Sequence, residues 1–237
     1  MMIDYHTHIL PEIDDGAKSV EVSLEMLKIL RNQGVKQVIA TPHFYAHHEK
    51  SVHDFLIKRQ IAYEKIGSPE DVNLGAEISI ERGISELSDI EKLALQGTNL
   101  ILLEFPYAKY SAWMENEIHN ISAKYNLTPI FAHIHRYLEF FTKEQMKYIL
   151  QMDAVFQVNN EAFSDFKQRQ FVKRLIKERY QIVFGSDCHS FDCRKPNWGL
   201  LKKKCKVDAI KDSDEILNSY KVGQKEKIGL SFFDNTY

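Results

Sequence analysis

The chain has 237 residues, and its 31 Lys and Arg against 33 Asp and Glu give a formal net charge of −2 with histidine neutral. So even a balance, with Lys and Glu interspersed, leaves no basic footprint for non-specific nucleic-acid binding and no polybasic membrane patch. The length suits one large α/β domain over 1–237 as readily as two small ones, and one is the default.

No charged-then-apolar leader opens the chain, and no apolar run approaches the span of a bilayer. The three cysteines, Cys188, Cys193 and Cys205, are odd in number and clustered late, so they form no disulfide framework. A cytoplasmic setting is the expectation.

The first predicted strand, Ile3 to Leu10, carries His6 and His8, which project to one side of an extended chain and can share a divalent ion. An acidic loop with Asp14, Asp15 and Gly16 follows. A helix capped by Ser19 then runs on Val20, Leu24, Leu27 and Leu30 to Gly34. Val35 to Ala40 is the second strand, and it opens at Pro42 onto His43. Tyr45, His47 and His48 lie in a loop before a helix capped by Ser51, where His47, His48 and His53 read as solvated residues.

Strand three, Val72 to Ala76, stops at Glu77, and strand four, Asn99 to Leu103, stops at Glu104. Strand five, Pro129 to Ala132, runs into His133, His135 and Arg136. Strand six, Ala154 to Val158, ends at Asn159 and Asn160. Strand seven, Gln181 to Gly185, ends in Asp187, Cys188 and His189, with Asp192 and Arg194 beyond. Helical patterns such as Trp113 to Lys124 and Phe163 to Lys177 lie between, and the tail after Lys221 gives no clear signal. About seven alternations of strand and helix imply parallel strands with right-handed crossovers, hence a closed or nearly closed α/β barrel with its active face at the C-terminal strand ends.

That face gathers His6, His8, Asp15, His43, Glu77, Glu104, His133, Asp187 and His189. Nine donors exceed what one ion takes and suit two or three. Clustered ions generate hydroxide and stabilise both oxygens of an in-line phosphoryl displacement. Arg136 and Arg194 add planar forks for phosphate oxygens, or each simply pairs with a neighbour such as Asp192 or Glu139. Together with Asn159 and Tyr45 they are the candidate substrate-binding residues.

The motifs Asp4-Tyr5-His6-Thr7-His8, Ile13-Asp14-Asp15-Gly16, Thr41-Pro42-His43, Gly75-Ala76-Glu77, Leu103-Glu104-Phe105, Ala132-His133-Ile134-His135-Arg136-Tyr137 and Ser186-Asp187-Cys188-His189 through Arg194 resemble the PHP (polymerase and histidinol phosphatase) superfamily. Within it, the chain is most similar to the bacterial protein-tyrosine phosphatases encoded with capsule and exopolysaccharide genes. The resemblance implies a distorted (β/α)7 barrel with three divalent ions, commonly manganese, that dephosphorylates the tyrosine-rich tail of an autophosphorylating bacterial tyrosine kinase. Iron and zinc are the other metals such ligands accept. By position, one ion would take His6, His8, Glu77 and Asp187, a second Glu77, Glu104 and His133, and the third Asp15, His43 and His189. Arg136 and Arg194 match the family's phosphate-binding arginines. His135 stands where the family usually carries Glu, which puts substrate preference in question.

A phenolate leaving group, with a pKa of about 10, needs little protonation, though His135 or Asp192 could serve as the acid. The Cys188 to Arg194 spacing imitates a cysteine-dependent phosphatase, but the intervening residues contain no glycine to shape a phosphate loop. Two other readings stay in play: a histidinol-phosphate or other small-ester phosphatase, and a non-catalytic metal-binding regulatory module. The aromatic stretch Pro106 to Trp113 is either an interface or a substrate lip.

Overall fold

A computed structural model of the chain describes residues 2–192 and 194–222; expectations that touch Cys193 or the stretch after 222 lie outside these residues. The strands are β1 (Ile3–Thr7), β2 (Gln37–Ala40), β3 (His43–Phe44), β4 (Val72–Leu74), β5 (Glu77–Ser79), β6 (Leu100–Glu104), β7 (Thr128–Phe131), β8 (Val155–Asn159) and β9 (Ile182–Gly185). The helices are α1 (Val20–Asn32), α2 (Val52–Lys65), α3 (Ala112–Tyr125), α4 (Lys143–Ile149), α5 (Phe166–Lys177), α6 (Trp198–Lys204) and α7 (Val207–Ser219). None among the described residues is long and apolar enough to cross a membrane.

Every named strand pairs in parallel, in a sheet ordered β1-β2-β4 and another ordered β3-β5-β6-β7-β8-β9. These are one ring cut by two kinks. The path of β2 continues into β3 past Thr41-Pro42, where proline cannot donate to a ladder, and β4 continues into β5 past Gly75-Ala76. A side chain at Gly75 would place its Cβ 2.5 Å from Leu95, and the Gly75 carbonyl accepts from Arg59 Nη1 at 2.6 Å, so the backbone turns there. Asp187 N donates to His6 O at 2.8 Å and His8 N to Cys188 O at 3.0 Å, which brings β9 back beside β1. Seven strand paths thus form a distorted (β/α)7 barrel, as the alternation pattern implied.

Helix boundaries follow local chemistry. Ser19 Oγ accepts from Val22 N and Ser51 Oγ from Asp54 N, the N-caps expected from sequence, each worth about 1 kcal/mol. The predicted helix from Phe163 starts later, at Phe166, because Asn160–Phe163 forms a 3-10 turn and Asp165 is the cap, its side chain accepting from Gln168 N. Alternate strand residues fill two cores. Leu100, Leu102, Ile130, Val155 and Val183 face inward, closed off by Leu217 of α7, while Ile101, Leu103, Phe131, Phe156 and Phe184 pack outward under the helices.

Candidate metal centre

The centre begins with an irregularity in β1. Asp4 lies opposite Val38 and Thr7 opposite Ala40, so β1 holds one residue more than its partner between those points, a β-bulge. The extra residue turns His6 as well as His8 into the barrel, with their Nε2 atoms 3.1 Å apart. Asp4 anchors the bulge from outside. Its Oδ1 accepts from His6 N at 3.3 Å and from Ser186 N at 2.8 Å, and its Oδ2 from Trp198 Nε1 at 2.7 Å.

The other contributors leave their strands nearby. Pro42 delivers His43, and Glu77 opens β5 rather than closing a strand, contrary to the sequence expectation, because of the kink at Gly75. Glu104 is the last residue of β6. His133 and Asp187 follow β7 and β9 with φ of 30° and 49°, left-handed turns that a histidine and an aspartate tolerate at a cost of order 1 kcal/mol.

All nine expected donors converge. Glu77 Oε2 lies 3.0 Å from His6 Nε2, 3.2 Å from His8 Nε2 and 3.1 Å from His43 Nδ1, while its Oε1 lies 3.0 Å from His133 Nε2. Asp187 Oδ1 is 3.7 Å from His6 and 3.4 Å from His8, Glu104 Oε1 is 3.3 Å from His133, and Asp15 Oδ1 is 3.2 Å from His189 and 3.5 Å from His43. Three groups have ligand atoms within 4.8 Å of one another: His8, Asp15, His43 and His189; His6, His8 and Asp187; His43, Glu77 and Glu104.

The donor chemistry fits divalent cations. His43 Nδ1 and His189 Nε2 are buried and make no hydrogen bond although carboxylate oxygens stand 3.1 and 3.2 Å away. Nitrogen and oxygen meet there without donor geometry, as two ligands of one ion do. Burial would raise the Glu77 and Asp187 carboxyls, yet the charge of His6 and hydrogen bonds from neighbouring imidazoles hold both well below the usual range. His133 is lowered by burial, but hydrogen bonds to Glu104 and Glu77 outweigh that and push it up to about 9. The acidic core demands positive charge, which protons or metal ions can supply.

The arginines face this core. Arg136 Nη2 donates to Glu161 Oε1 at 2.5 Å and lies 3.0 Å from Asp187 Oδ2, and its Nη1 donates to Tyr107 OH at 3.4 Å. Arg194 Nη2 donates to Asp187 Oδ1 at 2.8 Å. Arg136 thus pairs with Asp187 and Glu161, and Arg194 with Asp187 and, at 3.8 Å, with Asp15 Oδ2, where proximity in sequence had suggested Asp192 and Glu139. Tyr107 is half-exposed, with its ring stacked 6.0 Å from His133 and 5.6 Å from Tyr137, which makes the aromatic stretch after Pro106 a lip of the centre. Tyr45 stacks on His43 at 5.2 Å and helps line a cavity of about 460 Å3 that also touches Asp15 and His43.

Two expectations are corrected. Asn159 is wholly buried, and its amide donates to Asp187 Oδ2 at 2.8 Å and Glu161 Oε1 at 3.3 Å while its oxygen accepts from Gln157. Enclosed and with both amide hydrogens engaged, it holds Asp187 rather than facing a substrate. His135 is also wholly buried, and burial with the charges of Arg136 and His133 keeps it neutral. A neutral, enclosed imidazole does not suit the general-acid role.

Sequence reasoning missed a supporting layer. Asp14 Oδ2 accepts from His8 Nδ1 at 2.7 Å and from His43 N at 3.0 Å, and its Oδ1 accepts from Gly16 N at 2.8 Å. Gln157 Oε1 lies 3.2 Å from His6 Nδ1 and accepts from His133 N at 2.6 Å. Gln157 had a signal, since it lies two residues before Asn159 on the same face of a strand. Nothing in the pair Asp14-Asp15 says which carboxylate faces inward. Cys188 is wholly buried, and burial with the nearby charge of Asp4 pushes its thiol well above the ordinary value, which excludes a ready thiolate.

Comparison with known proteins agrees with this geometry. Tyrosine-protein phosphatase YwqE of Bacillus subtilis is 31% identical over 205 residues, 81% of this chain and 79% of its own. Tyrosine-protein phosphatase CpsB of Streptococcus pneumoniae is 31% identical over 210 residues, 82% of this chain and 86% of its own. A crystal structure from work on YwqE and CpsB, described as unique metal-dependent tyrosine phosphatases, superposes with a TM-score of 0.74 at 24% identity, covering 93% of this chain and 96% of the other. The phosphotriesterase homology protein of Escherichia coli shares the fold at a TM-score of 0.51 and 12% identity, over 89% of this chain and 94% of its own. Residues 2–216 match the family described as capsular polysaccharide synthesis, CpsB/CapC, and the chain belongs to that family.

Proposed function

We propose that this chain is a metal-dependent tyrosine phosphatase, one domain over 1–237, acting in the cytoplasm on the phosphorylated tyrosine-rich tail of a bacterial tyrosine kinase in capsule or exopolysaccharide regulation. The observation that carries the reading is the convergence of nine histidines and carboxylates with two arginines held at one of them, Asp187. The family match and the names of the relatives support it.

Three divalent ions, manganese first and iron or zinc as alternatives, would be held by the sets His6, His8, Glu77 and Asp187; Glu77, Glu104 and His133; and Asp15, His43 and His189. When bound, such ions supply Lewis acidity at phosphoryl oxygens and a water acidic enough to act as nucleophile at neutral pH.

The rest is done by side chains. Asp14 fixes the His8 ring by accepting a hydrogen bond from its Nδ1, and Gln157 Oε1 does the same beside His6. Arg136 and Arg194 grip the non-bridging phosphoryl oxygens, with Glu161 and Asn159 holding Arg136 and Asp187 in place. Tyr107 and Tyr45 flank the entering aromatic ring. The tyrosyl leaving group, with a pKa of about 10, departs without a strong acid, consistent with the enclosure of His135.

The test sets a tyrosine-phosphorylated peptide against histidinol phosphate, using protein stripped by chelator and reloaded with manganese. Preference for the phosphopeptide is expected. Preference for histidinol phosphate would move the chain to small-ester chemistry, and no turnover with metals bound would leave a binding module.

A further inference from the structure

The even spread of charge expected from composition does not hold in space. Residues 166–206 carry twelve Lys or Arg against three Asp or Glu, while the remainder carries nineteen against thirty. The helices α5 and α6 gather this excess on one side of the barrel. Lys167, Lys173, Arg174 and Lys177 are exposed at helical spacing on α5, and Lys202, Lys203, Lys204 and Lys206 are exposed on and just after α6. The two sets adjoin: Lys204 Nζ donates to Phe163 O at 3.3 Å, beside the start of α5. None of these eight cations makes an ion pair among the described residues; Lys202 donates only to a carbonyl, that of Gln33. The acids on this side are few: Asp165 is spent capping α5, Asp208 lies in the first turn of α7, and Glu178 ends α5.

The same face carries two protruding apolar side chains. Phe166 is 67% exposed and Val207 is 64% exposed, more than any other large apolar residue described. They begin α5 and α7, next to Lys167 and Lys206, and Arg169 stands 5.7 Å from the Phe166 ring. Exposed apolar tips among long lysine stems match an anionic lipid surface into which the tips insert while the stems spread. We propose that the α5–α6 face docks this protein peripherally on an anionic lipid membrane. α5 begins five residues past Glu161, which pairs with Arg136, so the proposed contact adjoins the metal centre along the chain.

The test is cosedimentation of the full chain with phosphatidylcholine vesicles made with and without phosphatidylglycerol. Binding to the anionic vesicles alone is expected, reversed by salt that shrinks the Debye length to about 3 Å. Each cation neutralised should cost roughly five-fold in partitioning, so the triple variant Lys173→Gln, Arg174→Gln, Lys203→Gln should bind about 100-fold more weakly, with unchanged circular dichroism and unchanged turnover of soluble p-nitrophenyl phosphate. The pair Phe166→Ser, Val207→Ser should lose about ten-fold. Wild type left in the supernatant with both vesicles, or a triple variant that partitions like wild type, overturns the proposal. So does binding to soluble polyglutamate as tight as to vesicles with the apolar pair undiminished, which would mark an acidic protein as the partner.

Discussion

Asp14→Asn isolates the layer behind the metal donors. The substitution keeps size and one acceptor oxygen, but it removes the negative charge facing His8 Nδ1 at 2.7 Å and leaves one of two backbone donors, His43 N or Gly16 N, without its partner. Losing a charge-assisted bond and stranding an amide costs about 1–3 kcal/mol of stability, which in a chain of this size lowers Tm by about 2–12 °C. Because an imidazole ligand is oriented and made more basic by the carboxylate behind it, metal affinity should fall about 10–100-fold, or about 1.4–2.7 kcal/mol. The assay is calorimetric titration of metal-free protein with Mn2+, paired with thermal melts. Asp15→Asn is the contrast: its side chain is 60% exposed, so affinity should drop with little change in Tm. An Asp14→Asn protein that melts lower yet binds Mn2+ within about two-fold of wild type would refute the orienting role.

Arg136→Ala should reduce catalytic efficiency toward p-nitrophenyl phosphate by about 10²–10³-fold, and unchanged efficiency would remove the phosphate-gripping role. Cys188→Ser should keep both metals and turnover, since the thiol is wholly buried and held protonated; loss of turnover with metals retained would point to thiol chemistry. Gly185→Ala places a Cβ 2.7 Å from His6 Cβ and should cost about 1–3 kcal/mol together with metal content, so a variant with unchanged Tm and metal content would contradict the close abutment of β9 on β1. Glu117 accepts from Gly83 N at 2.7 Å and Ser85 N at 3.0 Å; burial alone would raise its carboxyl, and these donors bring it below the usual 4.5. Its contribution, about 1 kcal/mol after solvent screening, is therefore present above that value and lost as pH falls through the folded one, so Glu117→Gln and wild type should differ in Tm at neutral pH and converge in acid.

The barrel and the gathering of nine histidines and carboxylates on one face were legible because each signal was local. Apolar runs ending in His6, His43, Glu104, His133 and Asp187 mark strand ends, and parallel alternation places all strand ends on one face. What stayed hidden depends on register and on contacts far apart in sequence. The bulge in β1 rests on Asp4 meeting Ser186 and Trp198 from the other end of the chain. The kink that puts Glu77 at the start of β5 lies at Gly75, where Leu95 leaves no room for a side chain. Asn159 lies where a substrate residue would, and only its bonds to Asp187, Glu161 and Gln157 show that it is already engaged. Net charge was the least informative quantity, since near-neutrality overall conceals the basic face on α5 and α6.

The most direct measurement follows phosphotyrosyl-peptide hydrolysis and bound metal in the same sample as chelator-stripped protein is titrated with Mn2+. Turnover should be absent in the stripped protein and rise in step with occupancy, reaching its plateau only when all three sets of donors are filled. Full turnover by the stripped protein, or a plateau before any ion is bound, would contradict the account.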